Sequence, residues 1–180
     1  MTTNPYKQCP TFETEHFILR LVDLEDAKDL LTCYSDPDAQ RFFNVDNFPI
    51  DCTFNTVDEM AKYIKFWLAE YADEMYVRFS IIDKKSKKAI GTTEMFGTVD
   101  KYMSDPGILR IDITSSYESK SLLKEILSVC VKEFYELFKV RTIATKAIPE
   151  AVERVLALQD MGFCAGDFNE REHYYLRSKD

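Results

Sequence analysis

Apolar residues recur along this chain with two periods. From Ile108 to Thr114 they alternate, with Leu109, Ile111 and Ile113 on one side and Ile108, Arg110, Asp112 and Thr114 on the other, which predicts a strand. From Lys120 to about Phe138 the spacing becomes helical, and Leu123, Ile126, Leu127, Cys130, Phe134, Leu137 and Phe138 form a broad apolar stripe. Between them Ser115 to Ser119 is a short polar turn. A strand that turns straight into a helix aims the helix's first N–H groups beyond the strand's end. Such an end is a ready place for a phosphate or carboxylate.

The same reading runs through the remainder. Phe17 to Val22 predicts a first strand, and Asp23 caps a helix whose apolar face is Leu24, Ala27, Leu30, Leu31 and Tyr34. Ser35-Asp36-Pro37 closes that helix and opens a short turn or helix through Phe43, with Pro37 at a first helical position. Asn44 to Asn55 lacks periodicity and predicts a loop, whose Phe48 and Phe54 either anchor it to the core or cover something. Thr56-Val-Asp-Glu59 fits a capping box ahead of a helix to about Ala72, with Met60, Ile64, Trp67, Leu68 and Tyr71 inward. Tyr76 to Ile82 and Ala89 to Val99 predict two strands, joined by Asp83-Lys-Lys-Ser-Lys-Lys88. That basic run reads as a solvated hairpin tip rather than an anion site. Val140 to Ala147 predicts another strand, and Pro149 opens a helix to Met161, with Gly162 at its C′ position. Cys164 to Phe168 and Glu172 to Arg177 predict a terminal strand pair. Strands and helices mix without strict alternation, so the pattern predicts one α+β domain with a mixed sheet over residues 1–180, residues 1–12 being a loose leading segment.

Composition narrows the function. Net charge is −8, which disfavours a nucleic-acid partner, because phosphate binding needs a basic face. The five cysteines are scattered without a CxxC pair and the two histidines, His16 and His173, are far apart in sequence. That spacing predicts neither a metal centre nor a disulfide framework, and reduced thiols fit a cytoplasmic protein. Met1 to Pro10 lacks the apolar run of a signal peptide, and no stretch of about 18 apolar residues predicts a membrane span.

Several strings resemble the GNAT acetyltransferases, and within them the ribosomal-protein N-terminal acetyltransferase-like branch. Thr14-Glu-His-Phe-Ile-Leu-Arg20 is similar to the branch's opening "TERLxLR". Asp26-Ala27 through Ser35-Asp36-Pro37 resembles its "DAxxLxxxxSDP", Ala89-Ile-Gly-Thr92 its "xIGT", and Leu156 to Phe163 its closing "VLEKLGF". The resemblance covers most of the chain. It implies the GNAT fold, a mixed central sheet flanked by helices, with acetyl-CoA as cosubstrate at the strand–turn–helix centred on residues 108–138.

That implication assigns cosubstrate contacts to Ile113, Thr114, Ser119, Lys120, Ser121, Leu122 and Leu123. The family's turn carries glycines where Ser119 and Ser121 stand, and the branch often has Trp where Glu118 stands. Glycines let backbone amides approach a pyrophosphate closely; side chains limit that approach. Ser119 is a good N-cap, and its hydroxyl competes for an amide that a phosphate takes. Glu118 stabilises the helix start by about 0.3–1 kcal/mol and repels a pyrophosphate, while Lys120 and Lys124 offset part of that repulsion. The family's frequent Asn is Ala151 here, and Leu158 stands where many members have a tyrosine that protonates the leaving thiolate.

Acetyl transfer to an amine needs a proton acceptor, oxyanion stabilisation and positioning. Asp112 and Glu94 are the candidate carboxylates; Asp112 also reads as an ion pair with Arg110 or another strand's residue, and Glu94 equally as an exposed strand residue. Of Tyr174 and Tyr175, alternation makes one of them core. The expected function is direct transfer of an acetyl group from acetyl-CoA to an amine, either a peptide N-terminus or a small amine. The alternative is a degenerate GNAT-like domain that binds a ligand or protein partner without transfer. No metal is expected. The same resemblance leaves a homodimer open, since many members of the fold dimerise.

Overall fold

Among the described residues, the alternating segments assemble into one sheet of eight strands, in chain order except that the last strand lies between the sixth and the seventh. The structure is a computed structural model and describes residues 4–46, 54–96 and 105–179. The strands are β1 (Phe12–Glu13), β2 (Phe17–Leu21), β3 (Val77–Asp83), β4 (Ala89–Phe96), β5 (Gly107–Ile113), β6 (Thr142–Lys146), β7 (Cys164–Ala165) and β8 (Tyr174–Ser178). The helices are α1 (Ala27–Tyr34), α2 (Pro37–Gln40), α3 (Val57–Ala72), α4 (Lys120–Leu137) and α5 (Val152–Asp160). Neighbouring strands pair antiparallel except β5 and β6, which run parallel. This is the α+β fold with a helix-flanked mixed sheet that the pattern predicts.

The two faces of the sheet differ in chemistry. On one, Val77, Phe79, Ile81, Met95, Leu109, Ile111 and Ile113 pack against Leu123, Ile126, Leu127, Cys130 and Phe134 of α4. Phe79 stacks on Phe134 at 5.5 Å. The opposite face is covered by α1 and α3, whose Leu30, Tyr34, Met60, Ile64 and Trp67 form a second core. There the strands bury polar and charged groups: Arg78, Ser80, Thr92, Glu94, Arg110 and Asp112.

Local signals act as their chemistry dictates. Thr56 and Glu59 form the capping box of α3. Pro37 begins α2, whose first amides bond to Asp36. Gly162 takes φ 80° after α5. The lysine run folds as the β3–β4 hairpin tip, closed by the Asp83 amide on the Lys88 carbonyl at 2.9 Å. Tyr174 is core and Tyr175 half-buried, as alternation requires.

Some expectations are corrected. Asp23 does cap, but a 3₁₀ turn, Leu24–Asp26, comes before α1. Its tighter winding rotates Leu24 off the apolar face, leaving it 41 % exposed. Pro149 does not open α5: the Ala151 amide bonds to the Ile148 carbonyl at 3.0 Å, a turn with proline at its second position. The leading segment is not loose over residues 4–12: Tyr6 is buried, Phe12 lies in β1, and the Tyr71 hydroxyl donates to the Pro5 carbonyl at 2.9 Å. Phe48, Cys52 and the end of the predicted strand at Val99 lie outside the described residues.

Candidate active site

The parallel pair creates the crevice. β5 and β6 are paired at Gly107↔Ile143, Ile108↔Ala144 and Leu109↔Thr145, and the ladder stops there although β5 runs on to Ile113. Ligands of open α/β sheets bind in such crevices beyond the carboxyl ends of strands. The turn after β5 is a 3₁₀ turn, Ser115–Tyr117, and Ser119 then takes the N-cap position of α4. α4 therefore starts at the mouth of the gap.

Side chains of this chain hold the backbone groups around that gap. Arg154, from α5, donates from Nη1 to the Ile111 carbonyl at 2.9 Å and to the Phe42 carbonyl at 3.2 Å. Its Nε and Nη2 clasp both oxygens of Glu118 at 2.7 and 2.8 Å. Both side chains are almost fully buried. The first amide of α4, Lys120 N–H, donates to Glu153 Oε2 at 2.7 Å. The Ser115 amide donates to Asp36 Oδ2 at 2.9 Å. Burial raises the Asp36 pKa, but the bonds from Ser115, Ala39 and Asp38 outweigh it and hold the group below its ordinary value.

The turn's own residues are arranged differently from expectation. Ser119 occupies the cap position but its hydroxyl makes no capping bond; the carboxylate of Glu153 does that work across helices. Glu118 is turned to Arg154 rather than left facing solvent at the helix start. Lys120 and Lys124 both pair with Asp160, each at 2.9 Å. Thr114 gives its hydroxyl and amide to the Ile90 carbonyl. Ile113 and Leu123 are core, Leu122 packs at its edge, and Ser121 is exposed. A cavity of about 240 Å³ adjoins the turn, and among the described residues its wall sets Asp38, Glu118, Glu150 and Glu153 against Arg41. With Glu118 already paired to Arg154, three carboxylates face that one guanidinium, a balance that disfavours a pyrophosphate.

The candidate carboxylates lie on the α1/α3 face, in a charge ladder across three strands. Register sets Arg78 opposite Glu94 and Glu94 opposite Arg110. Arg78 pairs with Glu94. Arg110 holds both oxygens of Asp112, at 2.9 and 2.8 Å. The Tyr34 hydroxyl donates to Asp112 at 2.8 Å and accepts from Arg78 at 2.9 Å. The Arg78 guanidinium lies 4.0 Å from the Trp67 ring centre. Asp112 thus has both oxygens engaged, whereas Glu94 Oε1 is buried without a partner among the described residues. Burial, only partly offset by Arg78 and Arg110, pushes the Glu94 pKa up. Burial also raises the Tyr34 hydroxyl well above its ordinary value, reinforced by Asp112.

Tyr34, Arg78 and Arg154 are the members sequence reading missed. A signal for Arg154 existed: with Ala151, Ala157 and Leu158 it falls on the buried stripe of α5, where an arginine requires a partner.

Comparison with known proteins matches this architecture. The family model described as "Acetyltransferase (GNAT) domain" matches residues 16–163. An uncharacterized N-acetyltransferase, YoaA of Bacillus subtilis (strain 168), is 24% identical over 93 residues, 52% of this chain and 49% of its own; the match spans about half of that relative's length. A putative ribosomal-protein-serine acetyltransferase from Vibrio cholerae superposes with a TM-score of 0.71 at 13% identity, covering 98% of this chain and 99% of its own. Spermidine N-acetyltransferase from Vibrio cholerae, solved in complex with CoA and spermine, gives 0.69 at 14% identity over 92% and 97%. At these identities the structural likeness is one of fold. With the family model spanning most of the sequence, the chain belongs to the GNAT acetyltransferases.

Proposed function

We propose that this domain transfers an acetyl group from acetyl-CoA to an amine by direct transfer, the acceptor being a peptide N-terminus or a small amine. The observation that carries the reading is the parting of β5 and β6 at the amino end of α4, within a chain whose family is GNAT. The fold neighbours named for ribosomal-protein and spermidine acetylation support an amine acceptor. Ile113, Thr114 and the stretch Ser119 to Leu123 border the cosubstrate in this reading. Among the two carboxylates, Glu94 is the better proton acceptor, since its Oε1 has no partner among the described residues and its affinity for a proton is raised. Asp112 serves to hold Arg110 and Tyr34 in place. A cytoplasmic location and a homodimer belong to the same proposal; among the described residues no helix is long and apolar enough to cross a membrane.

A second reading, a GNAT-like domain that binds a ligand or partner without transfer, is favoured by one observation: the chain's own Arg154 and Glu153 hold the crevice's backbone groups. Thermal denaturation with millimolar acetyl-CoA, paired with an acetylation assay on peptide and polyamine acceptors, separates the two readings. A site filled at 100 times its dissociation constant adds about 2.7 kcal/mol of stability. Stabilisation with turnover supports transfer, and turnover then falls in Glu94→Gln; no stabilisation and no turnover leaves the second reading.

A further inference from the structure

We infer that Arg154, Glu118 and Glu153 form an internal occupant of the acyl-donor crevice, which acyl-CoA must displace in order to bind. The inference rests on the acyl-CoA reading of the crevice and adds to it a built-in competitor. Three observations combine. First, β5 continues past its last pairing with β6, so its carbonyl edge in the gap needs hydrogen-bond partners; Arg154 supplies one to Ile111 at 2.9 Å. Second, Arg154 is fixed by a two-pronged pair with Glu118, the residue standing directly before the α4 cap, so the plug is tied to the turn itself. Third, Glu153, one residue before Arg154, brings a carboxylate to the Lys120 amide at 2.7 Å. A carboxylate on a helix-start amide does what a phosphate oxygen does there.

The plug thus imitates a ligand in two chemistries: a donor to the strand edge, and an anion on the helix start. Because α5 contributes both residues from adjacent positions, one motion of its first turn withdraws both. The binding-competent state is then a minor population, and apparent affinity falls by its fraction. A crevice open in about one molecule in a hundred binds about 100-fold more weakly than one held open.

Calorimetric titration with acetyl-CoA tests this on the full chain in three forms: wild type, R154A/E118A and E153A. The double substitution removes both charges together, so neither is left buried alone. Glu153 is exposed, so its truncation does not endanger the fold. Melting temperatures check that each form is folded. The expected result is at least about a ten-fold gain in affinity in both variants, following from release of the closed state. Wild type binding as tightly as, or more tightly than, both variants overturns the plug while leaving the acyl-CoA reading standing. No heat from any folded form at millimolar acetyl-CoA overturns both.

Discussion

At the scale of single residues, the charge ladder Arg78–Glu94–Arg110–Asp112 dominates. Its members are all buried, so each charge depends on its neighbour. Asp112→Ala leaves Arg110 without its two-pronged partner and takes away the carboxylate that accepts from Tyr34. Removing one member of a buried pair costs about 3–5 kcal/mol, and urea denaturation of this variant is expected to show a loss of that order; a change within a few tenths contradicts the ladder. The sign of Glu94 runs the other way. Its raised pKa means that the ionised form opposes folding above the ordinary carboxylate range, and that opposition fades as pH falls through the folded value. Half of this ladder is legible in the sequence. Alternation places Arg110 and Asp112 on one side of a strand, and ion pairing was the structural alternative for Asp112. The partners Arg78 and Tyr34 lie elsewhere along the chain: strand register brings Arg78 to Glu94, 16 residues on, and the packing of α1 on the sheet brings Tyr34 to Asp112, 78 residues on.

At the scale of elements, the boundaries follow local chemistry and the joints do not. Thr56, Pro37 and Gly162 act within a few residues of where they stand, so their roles are readable from sequence. The start of α4 is different. Ser119 has the right residue type for a cap, yet the amide is taken by Glu153 from 33 residues further on, a choice made by the packing of α5 on α4. Asp36 ties two elements in the same manner, capping α2 and receiving the Ser115 amide of the turn after β5. Its pKa is depressed in the fold, so its contribution is present above the unfolded value near pH 4 and lost as pH falls through the folded value. Asp36→Asn is therefore expected to flatten the dependence of unfolding free energy on pH below about pH 4. Parallel pH profiles for variant and wild type contradict this joint.

At the scale of the molecule, one sheet separates an apolar core under α4 from a charged layer under α1 and α3. Gly91 shows how tightly the centre is built: a Cβ there meets the Asp112 carbonyl at 2.2 Å. The fold class was readable because periods of two and about 3.6 run through the chain and family-like strings sit in order along it. The state of the crevice was not, since it depends on Arg154, Glu118 and Ile111 meeting from three elements. The whole account turns on whether that meeting must break when an acyl-CoA arrives. The most direct measurement is an ¹⁵N NMR titration of the wild-type chain with acetyl-CoA, following the Arg154 Nε–H signal together with the amides of Ser119 to Leu123. The account predicts that the Arg154 signal leaves its bonded position in step with the shifts of those amides. Amide shifts that reach saturation while Arg154 Nε–H stays where it was, or no shifts at millimolar ligand, contradict it.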